Sequence, residues 1–527
     1  MKKIIALLLA LLLIQLAFAQ TLPVNASSTW YVAAEGGGFD CTQAAPCKLD
    51  YAVQSKSTAG DTILAKSGIY RDGGVGQPYI TYIYKSLTLI GSCTYEASGP
   101  VVCDTSHRDS FLDGELNRRV IIVQGTPGDG MHVSISGFTI MRGNGGSNPV
   151  GTCESAWGST ILGCGGGVFA EGVDHLELTD NEIWANRGSD SSPATTEVTL
   201  GGGVYAEDVG QLVLTDNLLR FNRAGSEGQG FGGGIYLTGS GTTAGVLIEN
   251  NIFNNNELTT NQPGNGAGIC ATYSEGIQVN QNLFEYQNYL ARVTVDGSAI
   301  YMLDLRNSYI YNNRFQQNFG RSSIFVGGLP GDLTDVVINR NKIIGEETTD
   351  NIAVIGNTDL LIMNNFIGNN NPLTNSSGIY TQGSIAYGNP DAFIAYNTFA
   401  LVEYGLYIDG NSDITVEDNI LTQINSTAVY DNDPATNTLV VDSNLFHNNG
   451  DDGERGTVYF TGDPLLVDDA YGDFHIQAGS AAIDKVYSWQ GGIDIDGQMR
   501  GIGTPPNSFD VGADEYMLMH YLPLITK

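Results

Sequence analysis

The sequence predicts an all-β fold, a right-handed parallel β-helix in which short strands wind into stacked coils, and two recurring patterns carry that expectation. The first reads aliphatic residue, two variable residues, asparagine, any residue, large apolar residue. Its asparagines are Asn181, Asn217, Asn251, Asn282, Asn313, Asn341, Asn365, Asn397, Asn419 and Asn444, separated by 36, 34, 31, 31, 28, 24, 32, 22 and 25 residues. The second lies between them, as in Gly166-Gly-Val-Phe169, Gly202-Gly-Val-Tyr205 and Gly233-Gly-Ile-Tyr236, and it recurs through Ala428-Val-Tyr430. Repeats of this length mark a solenoid, in which each coil completes its core only against its neighbours.

Each element follows from residue chemistry. The stretch before every asparagine alternates apolar and polar residues, with Leu176 and Leu178, or Leu212 and Leu214, on one side; such period-two patterning gives a strand with one buried face. Asparagine tolerates a left-handed backbone, so it is expected to make the bend itself and return the next apolar residue to the interior. Coils stacked at about 4.8 Å would place each asparagine on the last, where their amides can bond in a ladder. In the glycine-led pattern the aliphatic residue faces the core, and by strand alternation the aromatic one faces the other way.

From the start of the chain, Lys2, Lys3, the apolar run Ile4 to Leu16 and Ala17-Phe-Ala19 read as a secretory signal over residues 1–19. An N-terminal cap and first coils are expected over 20–130, with a helix at Lys48 to Lys56 turning Leu49, Ala52 and Val53 to one side. Helix repeats fill 131–460, Gly137 standing where later coils carry asparagine. Residues 461–516 read as last strands and an irregular exit cap. The apolar stretch 517–527 is too short to span a bilayer and is a candidate sorting segment.

A net charge of −33, with 57 acidic and 24 basic residues, excludes nucleic acid as a natural partner. Acidic polysaccharides would be repelled unless divalent cations bridged them. Seven cysteines in an exported chain suggest disulfides. Six fall into close pairs, Cys41 with Cys47, Cys93 with Cys103 and Cys153 with Cys164, leaving Cys270 at the aromatic position of its coil.

Cys41-Thr-Gln-Ala-Ala-Pro-Cys47, Ala59-Gly-Asp-Thr-Ile-Leu64 and Gly68-Ile-Tyr70 resemble the opening of exported bacterial right-handed parallel β-helix repeat proteins. The glycine-glycine-aliphatic pieces and the Phe253 to Asn256, Phe315 to Asn318 and Phe446 to Asn449 spacings are similar to the motifs of polymorphic outer membrane protein repeats. Asp494 to Arg500 and Phe509 to Tyr516 resemble the terminal segment many bacterial β-helix proteins carry. The resemblance implies a secreted or cell-surface protein and leaves its activity open.

A solenoid turns one position of successive coils into a row. The aromatic row is a candidate platform for sugar rings, with Phe169, Tyr205, Tyr236 and Tyr301 as its leading ligand-binding residues and Tyr380, Tyr407 and Tyr430 further along; the plainer reading is an outer aromatic stack that shields strand edges and packs against loops. Asp180 and Asp216, in consecutive coils, are candidate ligands for a metal, calcium being the candidate cofactor; Asp494, Asp496, Asp510 and Asp514 form a second acidic group. Solvated surface acids are the plainer reading of both groups. Asp296, Asp304 and Arg306 are the candidate catalytic residues, set against a plain surface ion pair. Gly-His-Gly, which polygalacturonases carry, does not occur. The expectation is a monomeric protein that contacts an extracellular glycan or cell-surface protein without catalysis; the alternative is a polysaccharide lyase or glycoside hydrolase.

Overall fold

The computed structural model describes residues 27–516 except 72–75, 147–152, 154–159, 190–196, 226–228, 242–244, 259–263, 289–294, 332, 369–375, 385–387, 488–491 and 502–507. The secretory signal and the apolar tail lie outside the described residues. Three long sheets, two parallel throughout and the third with one antiparallel edge strand, run the length of the chain. One coil shows the plan: Val204–Glu207 in the glycine-led sheet, Gln211–Thr215 in the sheet before the asparagine, a turn at Asn217, then Leu218–Arg220 in a third sheet of short strands. Val204, Ala206, Leu212, Leu214 and Leu219 all point into one continuous core. Successive strands pair in register, so Val168, Val204, Ile235, Ile269, Ile300 and Ile324 form one column.

The predicted ladder is present, with a correction to what makes the bend. Asn217 donates its amide to the side-chain oxygen of Asn251 at 3.0 Å and to Leu178 O at 2.7 Å, while Asn251 does the same to Asn282 and Leu214. The left-handed residue is the one before each asparagine: Asp180, Asp216, Asn250, Gln281 and Asn312 have φ of 55°, 57°, 55°, 53° and 57°. The turn divides two tasks that one residue cannot perform together. The preceding residue takes the strained backbone, exposed or part-exposed in the early coils and buried at Asn364, Tyr396 and Asp418, and the asparagine keeps its amide inside, saturated with hydrogen bonds. Gly137, at φ 75°, therefore occupies the strained position, and Phe138 stands in the asparagine slot, its N–H donating to Asn181 Oδ1 at 3.1 Å.

A second ladder follows the short strands, unanticipated as such from the sequence. It runs Asn186, Asn222, Asn256, Gln287, Asn318 and Glu346, again behind left-handed residues such as Ala185 and Phe221. Glu346 ends it, fully buried, accepting from the Asn318 backbone and side chain and from the Ser323 hydroxyl. Burial raises its carboxyl to about 8, so at neutral pH it is a protonated, amide-like group.

The N-terminal helix is found as Leu49–Tyr51 continuing into a wider turn over Ala52–Lys56, with Leu49, Ala52 and Val53 buried as expected. All three cysteine pairs are disulfides, and Cys270 is a buried thiol whose pKa burial pushes up. The exit cap departs from expectation. Leu466–Asp468 and Asp473–Ile476 form an antiparallel pair, and the chain beyond them runs back along the outside of the coils. Arg500, with a fully buried side chain, donates to Asn364 Oδ1 at 2.9 Å, Gly512 N to Asp418 O at 2.8 Å, and Ala513 N to Thr398 Oγ1 at 3.1 Å. It is a strap, because Phe474, Ile495 and Ala513 need an apolar surface and find it on Phe366 and Ala400.

Asn251→Ala should lower stability to urea by about 3 kcal/mol or more, since it strands buried donors above it and acceptors below. Glu346→Gln should stabilise the protein at pH 9 by a few kcal/mol in order of magnitude and leave it nearly unchanged at pH 5. The sign follows from the raised pKa: the wild-type contribution is present below the ordinary carboxylate range and lost as pH rises through about 8. Melting curves at the two pH values check this.

Candidate functional site

The aromatic row faces away from the helix interior, as alternation requires, yet its first half is covered. Phe169, Tyr205 and Tyr236 are fully buried and Tyr301 is nearly so. Their rings stack at 5.4 and 5.7 Å with interplanar angles of 5° and 8° for the first three. The cover is a second layer of three parallel strands, Thr160–Cys164, Glu197–Leu200 and Gln229–Phe231, whose Val198, Leu200 and Phe231 pack on the rings. The four leading ligand-binding candidates are thus core residues of an outer layer and out of reach of a sugar. Cys270 continues the row between Tyr236 and Tyr301; a small thiol fits there because the outward side is itself apolar.

The covering strands come from insertions between the short strand and the next glycine-led strand. Where the asparagine spacing falls to 28 and then 24, the insertion is gone, and Phe319–Gly328 runs as one continuous strand. The row passes through Phe325 and Ala353 and then emerges as Tyr380, Tyr407 and Tyr430, all partly exposed. Tyr407 lies 5.8 Å from Tyr380 and 5.1 Å from Tyr430 between ring centres, and Tyr404 meets it edge-on at 5.2 Å.

Tyr380, Tyr404 and Tyr407 help to line a groove of about 410 Å³ with Arg321, Thr349, Asp350, Ser377 and Asp409; Tyr430 lies beside it on the next coil. Asp350, Ser377 and Tyr404 occupy successive rungs of one column. Burial raises the Asp350 carboxyl to about 7, against a hydrogen bond from Ser377 and the charge of Arg321. Tyr380 donates to Asp409 Oδ2 at 3.2 Å, and burial with that carboxylate pushes its hydroxyl pKa up. Arg321 sits 5.9 Å from the Tyr380 ring centre and 3.8 Å from Asp296 Oδ1. The groove therefore holds apolar ring faces, a cation, a carboxylate and a carboxyl that is half protonated near neutrality.

The catalytic trio is split. Asp304 and Arg306 line a different groove with Ser240, Tyr273, Ser274 and Glu275, and Asp304 Oδ1 accepts from Leu329 N at 2.8 Å. Asp296 instead pairs with Arg321, and burial raises its pKa. Asp180 and Asp216 hold the left-handed positions of their turns, and Arg108 donates to both peptide oxygens, at 3.1 and 2.8 Å; Thr105 donates to Asp180 Oδ2 at 2.8 Å. The acidic group near the end divides as well. Asp494 and Asp510 accept from backbone amides of Asp496, Gln498, Asp484 and Tyr516, whereas Asp496 and Asp514 converge on His475.

The right-handed β-helix region matches residues 125–284, 230–347 and 298–468, more than half of the sequence. The chain belongs to the right-handed β-helix family. Among curated proteins none matches it. The crystal structure of pectate lyase Pel9A is similar to this β-helix over 93% of this chain and 97% of that one, at 12% identity and a TM-score of 0.38; no residue role is carried across at that distance. Among the described residues of the β-helix no helix is long and apolar enough to cross a membrane.

If the cover layer is as described, Tyr205→Ala should destabilise the protein by about 3 kcal/mol or more, as loss of a buried ring does, and Tyr407→Ala by less than about 1 kcal/mol. Denaturant unfolding of the two variants measures the contrast.

Proposed function

We propose that the protein is a secreted or cell-surface glycan-contacting β-helix whose binding surface is the groove of Tyr380, Tyr404 and Tyr407, extended by Tyr430 beside it. The emergence of the aromatic row from beneath its covering strands carries this reading. Ring faces one coil apart offer apolar platforms to successive sugars, and Arg321, Ser377 and Asp409 offer hydrogen bonds to their hydroxyls. Three disulfides suit an oxidising compartment.

One observation favours a second reading, hydrolysis or elimination at the same groove. A carboxyl raised to about 7 is poised as a general acid, and Asp350 lies in one groove with Asp409.

A panel of neutral and acidic polysaccharides, run with and without calcium and scored for binding and for new reducing or unsaturated ends, tests both. Binding that falls about tenfold, roughly 1.4 kcal/mol, in Tyr407→Ala is expected. No binding, or binding indifferent to Tyr407→Ala and Tyr380→Ala, would sink the proposal. Products that vanish in Asp350→Asn would establish the enzymatic reading instead.

A further inference from the structure

The groove between the short-strand sheet and the strap, about 560 Å³, is lined in part by Arg314, Lys342, Glu347, Tyr471, Asp473 and His475. At His475, which lines it, three side chains from three separate segments meet. His475 comes from the antiparallel pair, Asp496 from the tight turn after Asp494, and Asp514 from the last described stretch. One ligand atom from each lies within 4.8 Å of the others.

The geometry around them is that of a donor set held from behind. Asp473 Oδ1 meets His475 Nδ1 and fixes the ring. That turns Nε2 toward Asp496 Oδ2 at 2.9 Å, where it is buried with no hydrogen bond of acceptable geometry. Asp514, only 5% exposed, accepts the Ile476 amide on Oδ2 at 2.8 Å, and no hydrogen bond among the described residues occupies its other oxygen. Asp494 ties together the two backbone segments that carry Asp496 and Asp514, accepting from the backbone amides of Asp496 and Glu515 at 3.0 and 3.3 Å. The Lys342 ammonium, 3.8 Å from Asp496 Oδ1, is at the rim. A charged histidine between Asp473 and Asp496 would be the plain alternative, but it leaves Nε2 without a hydrogen bond and a buried carboxylate facing it.

We propose that His475, Asp496 and Asp514 bind a divalent first-row transition ion of the zinc or manganese type, which pins the strap to the coils. One imidazole with two carboxylates suits such ions better than calcium, which prefers six to eight oxygens. Asp473 is the positioning residue, the outer carboxylate that sets the tautomer of a metal-ligating histidine.

The test uses the full chain, dialysed against a chelator and then titrated with Zn2+ and separately with Mn2+ at pH 7.5 by calorimetry, with melting temperature as a second readout. One saturable site per chain is expected, with a melting temperature that rises as the site fills. Asp496→Asn, a part-exposed position, should weaken binding at least about tenfold, and Asp473→Asn by about 10 to 100-fold, while each variant keeps its metal-free melting temperature within a few degrees. Ca2+ should compete poorly. Absence of saturable binding of either ion to the wild-type chain overturns the proposal. So does binding of unchanged affinity in both Asp496→Asn and Asp473→Asn, because the ion would then sit elsewhere, for instance at His132, His175 and Glu177.

Discussion

The bent turn with a buried amide is the constraint on which the rest of the molecule depends. A parallel helix must turn its chain sharply at each corner, and every corner exposes peptide groups that the strands no longer satisfy. Here a left-handed residue makes the bend and the next residue, an asparagine with both a donor and an acceptor, satisfies the freed groups above and below it. Because each amide bonds the coil before and the coil after, the register of one coil fixes the next. The aromatic column, the strap contacts and the groove walls all inherit that register.

The covering strands then decide what the outer face can do. In the coils with long asparagine spacings the extra residues fold into covering strands, and an apolar outer face becomes a second core. Beyond Phe319–Gly328, which runs as one continuous strand, the same column of residues emerges beside solvent as Tyr380, Tyr407 and Tyr430. One residue type at one position thus changes from packing to surface within a single row. The chemistry of the surface half is set by neighbours from adjacent rungs, Asp350, Ser377 and Asp409, rather than by the tyrosines alone.

The strap places charge where a β-helix ordinarily has none. Arg500, Asp494, Asp510 and Glu515 are buried together against the coils, and Arg500 reaches Asn364, which is itself the left-handed residue before a ladder asparagine. Burial raises the carboxyls of Asp418 and Asp510 to about 7. Such groups cost stability when ionised and define geometry when satisfied. The strap is therefore fastened at the ladder turns, where the backbone geometry is most fixed.

The sequence by itself determined the fold, because a solenoid core depends on local periodicity that any coil displays: the aliphatic columns, the Asn181 to Asn444 ladder and the three disulfide pairs were all legible. The second ladder was only half legible, since Gln287 and Glu346 replace asparagine in it while keeping the acceptor that the geometry needs. Only the tertiary structure decided which aromatics are open, because the strands that cover Phe169 to Tyr301 come from irregular insertions with no repeat of their own. It also separated Asp296 from Asp304 and Arg306, and joined His475 to Asp496 and Asp514 across 39 residues of sequence. Proximity of that kind arises from the strap folding back on the coils, a packing outcome that no local pattern encodes.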